Sequence, residues 1–429
     1  MLMRLRWKLA VLISAAIAIS YLDRQTVSVA IAAIQRDIPV SNIQFSQLQA
    51  AFLVAYALMY VGGGRLLDAL GTRRGFALIM VWWSLACAAH SLARGFASLV
   101  TFRFLLGMGE GGGFPAATKA VAEWFPQRER SLAMGIINAG TAAGAVAAPP
   151  AIATIILLAS WRWVFVAVGA LGLLWTLAWL LNYFPASANT RLSAAERDEI
   201  CEIIAGGSDG SSGISWFNLF SFVEVWGLVI AKFLSDAAWY FYLFWLPKYL
   251  YDVRGFDIKK VGYYAWIPYA AAGIGCLVGG WFSGWLIQCG RSLSYARKAA
   301  LAASAAVMPL IIFVPHAAVQ LAIVIFSIAF FGQQSWSTLV MILPADLFPP
   351  QIVGSVAGLV GFGGAMGGVI FGLVVGYLLD HGFGYGTVFG LVSTFHVAAF
   401  GVILLTIRRV QQLVASQTRS TTAALRPVD

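Results

Sequence analysis

Asp23 and Arg24 stand side by side inside a long apolar run, with no charge from Leu9 to Ile19 before them and none from Thr26 to Ile34 after them. A charge in hydrocarbon costs at least about 2.5–3.5 kcal/mol on insertion scales. A chain that only had to cross a bilayer would not place two at this depth. The pair predicts a cavity inside a helical bundle, where ions or a charged solute are handled.

Composition supports the bilayer setting: 60% of the residues are hydrophobic and 11% charged, whereas soluble domains carry roughly 25% charged residues. The chain therefore reads as one membrane unit, not as several soluble domains. Arg4, Arg6 and Lys8 precede the first apolar run as in a signal peptide, but no small-residue cleavage site follows. The run continues as a first spanning helix. A net charge of +10 would suit nucleic acid, yet the basic residues cluster in loops at alternate ends of the apolar segments. These are Arg73-Arg74, Arg128 and Arg130, Arg191 and Arg197, Arg291, Arg297-Lys298 and Arg408-Arg409. That is the positive-inside pattern, which predicts cytoplasmic termini and a lipid partner rather than nucleic acid. The connection from Lys248 to Lys260 breaks the trend with Lys248, Arg254, Lys259 and Lys260. It reads as an external basic loop, either simply solvated or concentrating anions. Cys87, Cys201, Cys276 and Cys289 show no metal or redox spacing and read as small packing residues and unpaired thiols.

Apolar stretches of spanning length fall near 8–31, 47–69, 75–93, 96–122, 131–157 and 162–184. They resume near 222–247, 262–287, 297–315, 319–344, 353–379 and 385–407. The expected architecture is an all-α membrane protein of twelve transmembrane helices in two six-helix halves, residues 1–184 and 222–407. A cytoplasmic linker at 185–221 joins them and a tail at 408–429 follows. Within the linker, Ser193 to Glu196 forms a capping-box pattern that predicts a short helix to about Ala205, followed by a Gly/Ser-rich hinge from Gly206 to Gly213. A repeat supports the halves. Ala122-Glu123-Trp124-Phe125-Pro126 resembles Ala345-Asp346-Leu347-Phe348-Pro349, with Ser131-Leu132-Ala133 and Ser355-Val356-Ala357 beyond, and Gly140 and Gly144 aligning with Gly364 and Gly368. Duplicated halves are a known plan of large transporters. The glycine pairs predict close helix approach, and Pro149-Pro150 predicts a kink or break in the same helix.

Arg103 and Glu110 form a second charged site in the apolar stretch from Phe96 to Val121. Seven residues are nearly two helical turns, so both share one face about 10.5 Å apart. With Asp23 and Arg24 they make two acids and two bases, able to neutralise in pairs. Static salt bridges are the alternative, but well-packed apolar residues would replace those at little cost. Burial and a neighbouring arginine act in opposite directions on a carboxyl group. An arginine that moves between partners therefore couples protonation to the release of a guanidinium fork that can hold an anion. The literal G-x-G-x-x-G of Gly107 to Gly112 lies in an apolar span, not between a strand and a helix, so it is no dinucleotide site; its glycines leave room for a substrate or a neighbouring helix. Polar and aromatic groups at membrane depth supply candidate pocket walls: Tyr21, Tyr56, Asn138, Thr141, Trp239, Tyr240, Gln333, Gln334, Trp336 and Ser337. Such walls suit sugars, although any one aromatic is as readily an interfacial anchor. No nucleophile–base pair, metal cluster or cofactor motif appears in the spans, and His90, His316, His381 and His396 are scattered. No enzyme, cofactor or metal is expected.

The stretch from Gly64-Arg65-Leu66-Leu67-Asp68 to Gly71-Thr72-Arg73-Arg74 resembles the loop motif of the major facilitator superfamily between its second and third helices. Tyr21 to Arg24, Arg103 to Glu110 and Phe114 to Pro126 resemble its anion:cation symporter family. Trp239 to Leu250 and Leu343 to Pro349 are similar to bacterial hexuronate and sugar-acid transporters. The resemblance implies a multi-pass inner-membrane protein, monomeric, importing a small anionic sugar acid with protons. It implies proton coupling by Asp23 and Glu110 with support from Arg103. It implies substrate contact by Arg24, Tyr21 and Tyr56, and conformational gating by Gly64, Asp68, Gly71, Arg73 and Arg74. Three positions depart from the pattern: Ala69 replaces a usual base, Gln288 a common acid, and Gly361 to Gly364 holds no asparagine. An exchanger or exporter on the same fold, or a sensor that binds without transporting, would keep the same charges.

Overall fold

In the computed structural model the apolar runs fold as helices, and it describes residues 5–125, 127–184, 216–348 and 350–411. The linker helix and hinge expected between Ser193 and Gly213 lie outside these. Helix α1 spans Leu5–Asp37, α2 Asn42–Ala89, α3 Phe96–Glu110, α4 Gly113–Trp124, α5 Gln127–Leu158 and α6 Trp161–Asn182. Then come α7 (Val223–Asp252), α8 (Ile258–Tyr264), α9 (Trp266–Gln288), α10 (Leu293–Ala306), α11 (Val319–Leu347), α12 (Pro350–Asp380) and α13 (Tyr385–Thr406). Among the described residues, ten segments are long and apolar enough to cross a membrane. Large side chains such as Leu158, Leu174, Leu277 and Leu405 are exposed along them, as lipid contact requires and water would penalise.

Local chemistry sets the boundaries. The 48 residues of α2 are interrupted only at Gly71, whose φ of 73° is a left-handed value that glycine adopts without strain. Two expected spans thus run on through one sharp turn. Ser41 and Gln44 form a capping box at the start of α2. The Asp380 carboxylate accepts from the Ile43 backbone N–H at 2.8 Å and from the Asn42 side chain at 2.8 Å. A negative charge there complements the helix N-terminus. The expected span 96–122 is instead two helices, broken at Gly111-Gly112 directly after Glu110. Conversely, α5 continues through Pro149 and Pro150, so the helix does not break there.

The chain divides into two compact units. One comprises Met1–Asp209, Tyr240–Ala270 and Gly368–Tyr385; the other Gly210–Trp239, Ala271–Gly367 and Gly386–Asp429. In the first, α2 packs along α3 and α1 along α5. The α1–α5 seam has no room for side chains: a Cβ on Gly140 would lie 2.2 Å from the Ser14 carbonyl oxygen, and one on Gly144 2.1 Å from that of Ala18. The matching glycines repeat the relation about 222–224 residues later. Gly364 abuts Asp236 and Gly368 abuts Tyr240, each within its own unit. The second unit has an apolar core that includes Leu228, Trp336, Leu339, Leu343, Val360 and Ile403.

The seam gives a stability prediction. Gly144→Val should lower the thermal midpoint in detergent by several degrees, since overpacking alone costs about 1–3 kcal/mol and the atom met here is backbone. Gly135→Val, on the same helix with nothing within 4 Å of its Cβ position, should change it little. Equal midpoints for the two variants would refute the seam.

Candidate functional site

The first unit brings Asp23, Arg24, Arg103 and Glu110 into its interior, each at most 2% exposed. Placement follows from helix register. Ser20, Asp23 and Arg24 come from one face of α1, and Arg103 and Glu110 from one face of α3. Glycines in and just after α3 let these faces meet α2: Gly107 lies against the Phe52 backbone, Gly109 against Trp83 and Gly111 against the Tyr56 carbonyl. They admit a neighbouring helix, not a substrate.

Arg24 is the hub. Its Nη2 donates to Glu110 Oε2 at 3.0 Å, and the Ser20 hydroxyl donates to the same oxygen at 2.7 Å. The guanidinium lies 4.8 Å from the Tyr21 ring centroid, 5.2 Å from Phe52 and 4.8 Å from Tyr56. Aromatic faces attract a desolvated cation by about 0.5–2 kcal/mol each, so the rings stabilise Arg24 in addition to its carboxylate partner. Arg103 Nη2 donates to Gln49 Oε1 at 2.5 Å, and its guanidinium lies 4.7 Å from the Phe52 ring. Asp23 Oδ1 accepts from the Cys87 thiol at 3.2 Å, a weak donor. Among the described residues, Asp23 Oδ2, Glu110 Oε1 and Arg103 Nε and Nη1 are buried without a partner. Such orphaned atoms are costly in a static structure. They suit a network that exchanges partners.

Three further buried charges, Lys232, Asp236 and Lys248, lie in α7, so the expected intramembrane set of two acids and two bases is too small. Lys232 Nζ donates to Asp236 Oδ1 at 2.9 Å and to the Ser337 hydroxyl at 2.8 Å, with both charged residues 7% exposed. Lys248, expected in an external loop, is 3% exposed inside α7 and pairs with Asp252 at 2.5 Å. Lys232 and Asp236 were legible by the reasoning applied to Asp23, since they are two charges one helical turn apart in an apolar run. Gln49 and Cys87 carried no such signal; only the packing of α2 makes them partners.

The remaining candidate pocket residues divide. Gln333 and His396 are both fully buried and hydrogen bonded to each other, while Trp336 is 0% exposed and packs in the apolar core in a T-shaped contact with His396. Trp239 is buried in a T-shaped contact with Phe330, and half-buried Tyr240 stacks with Phe244. Gln334 is half-buried, Asn138 is exposed, and the Thr141 hydroxyl is taken by the Asn138 carbonyl at 2.7 Å.

Beside the turn at Gly71, Arg73 donates to the Tyr183 carbonyl at 2.7 Å and to that of Leu180 at 2.6 Å, closing the C-terminal end of α6. Arg74 is exposed, and the Asp68 side chain lies outside the described residues. The acid that anchors this turn is Glu123, which accepts from Thr72 and from the Tyr183 hydroxyl, each at 2.5 Å. Its counterpart in the sequence repeat, Asp346, accepts from Arg297 Nε at 2.8 Å. Sequence alone marked both positions as a repeated acid without giving them this tying role.

Known proteins share this arrangement of helices. The chain superimposes on the crystal structure of a bacterial homolog of the human lysosomal transporter Spinster, in an inward-facing and occupied conformation. The TM-score is 0.74 at 17% identity, covering 95% of this chain and 98% of that one. It is 32% identical over 372 residues to the hexuronate transporter of Escherichia coli (strain K12), covering 83% of this chain and 84% of the relative. It is 30% identical over 413 residues to the D-galactonate transporter of Escherichia coli O6:H1, covering 93% and 94%. Residues 13–371 match the family described as Major Facilitator Superfamily. With its apolar helices, buried charges and sequence relatives in agreement, this chain is a multi-pass membrane protein that belongs to the Major Facilitator Superfamily.

Proposed function

We propose that this protein imports a sugar acid of the hexuronate class with protons, across a bacterial inner membrane and as a monomer. The observation that carries the reading is Arg24, buried among aromatic rings and, among the described residues, held by one carboxylate, Glu110. Protonation of Glu110 removes that counter-charge. The guanidinium then has donors for a substrate carboxylate, which forms the charge-assisted pair in its place. Asp23, with one oxygen on the Cys87 thiol and the other unpartnered, is the second proton carrier, and Arg103 steadies the carboxylates by charge. The turn at Gly71 with Arg73 and Glu123 acts as the gate that resets between states. The relatives named as hexuronate and D-galactonate transporters support the substrate class.

Two carriers set the energetics. One proton with a monoanion is electroneutral and yields about tenfold accumulation per pH unit. Two protons move one net positive charge inward. That adds about 2.3 kcal/mol per 100 mV to two pH terms of about 1.4 kcal/mol each. The sum, about 5 kcal/mol, sustains a gradient of several thousandfold. Proteoliposomes given a panel of sugar acids, with and without an inward pH gradient, should show uptake that needs the gradient and carries an inward current. Uptake without current would reject the two-proton scheme. Counterflow indifferent to pH would reject symport in favour of exchange. Binding with flat uptake would mark a sensor.

A further inference from the structure

A groove of about 880 Å³ opens in the second unit, between the start of α10 and the end of α13. Lys298, Arg408 and Arg409 line it, and among the described residues no acidic side chain does. A hydrogen bond ties Lys298 to the end of α13, and Arg408 and Arg409 are exposed beside it. Lys298 Nζ donates to the Arg408 carbonyl at 2.8 Å, leaving two of its protons for another acceptor, and the Val410 N–H donates to the Ser294 hydroxyl at 3.3 Å. Along α10 and α13 the lining is apolar at Ala299, Ala302 and Phe400. Phe400 lies six residues before the end of α13 at Thr406, about 9 Å along the helix axis, within the spanning part. Trp281 and Trp285, 65% and 45% exposed on the last turns of α9, stand where indoles favour the headgroup level.

We propose that this groove binds an anionic phospholipid, with the headgroup phosphate on Lys298, Arg408 and Arg409 and the glycerol and upper acyl chain along Ala299, Ala302 and Phe400. A free phosphate would use only the charged mouth. The apolar lining beside exposed Leu404 and Leu405 favours an amphiphile, and basic pockets between spanning helices are suited to such headgroups. The site uses none of the groups assigned to transport.

The full-length protein in a neutral detergent should be titrated with phosphatidylglycerol, phosphatidylcholine and glycerol 3-phosphate, and the retained adducts counted by native mass spectrometry. Phosphatidylglycerol should bind about tenfold tighter than phosphatidylcholine and resist glycerol 3-phosphate. Arg408→Gln with Arg409→Gln should remove that preference, while Arg408→Lys with Arg409→Lys should keep most of it. Ala302→Leu, which fills the apolar part and leaves every charge, should also weaken retention. Equal binding of the two lipids, or undiminished binding by the double glutamine variant, would overturn the proposal. Displacement by glycerol 3-phosphate would mark a soluble-anion site and overturn it too. So would a lipid adduct that appears only when residues 412–429 are removed, because the chain itself would then be the occupant.

Discussion

Glu110→Gln and Asp23→Asn are each expected to abolish accumulation of substrate while leaving exchange of substrate for substrate within a few-fold of the parent. Glutamine at 110 still offers an oxygen to Ser20 and to Arg24, which now share Glu110 Oε2. It has no charge to give up, so Arg24 is permanently in the condition that protonation would otherwise create. Asparagine at 23 likewise keeps an acceptor for the Cys87 thiol but cannot carry a proton through the cycle. With an inward gradient of one pH unit the parent should reach at least about tenfold accumulation, and each variant should stop near equality of inside and outside. Counterflow supplies the control, since it needs the conformational change and the binding site but no net proton movement. If both neutralised proteins still concentrate the sugar acid, the carboxylates are structural and the partner-exchange mechanism is wrong.

Arg24→Ala should lose substrate binding itself. Two charge-assisted hydrogen bonds at about 1.5–3 kcal/mol each amount to more than a hundredfold in affinity, measured by titration calorimetry on the purified protein. The same change strands Glu110, and breaking a buried pair costs about 3–5 kcal/mol, so instability could imitate lost binding. Arg24→Ala combined with Glu110→Gln separates the two: stability should return and affinity should not. Arg24→Lys should fall between, because an ammonium keeps the charge but lacks the planar fork that faces Tyr21 and Tyr56. Restored affinity in the double variant would remove Arg24 from the substrate site.

The turn at Gly71 was legible only in part. Gly71 was visible as a turn residue and proves to be the one residue of α2 with non-helical backbone angles. Arg73 was visible as a basic loop residue, but its partners are carbonyls at the end of α6, more than a hundred residues away. Glu123 was visible in the repeat and Tyr183 not at all. A backbone carbonyl carries no residue-specific signal, so no sequence pattern announces that it will be a ligand.

Hydrophobic runs of bilayer length, and charges placed within them against a known energetic cost, determined by themselves that this chain is a helical membrane protein with a buried charged site on α1 and α3. These properties follow from residue type and spacing along one helix, and so survive without coordinates. Tertiary structure alone decided which charges pair, since Arg24 meets Glu110 and not its neighbour Asp23, and Asp23 meets a thiol from α2. It alone decided that the glycines after Arg103 serve helix packing and that Trp336 belongs to a core. The physical reason is distance: each of these outcomes depends on two helices approaching at particular turns, and the approach is fixed by side chains that never touch in sequence.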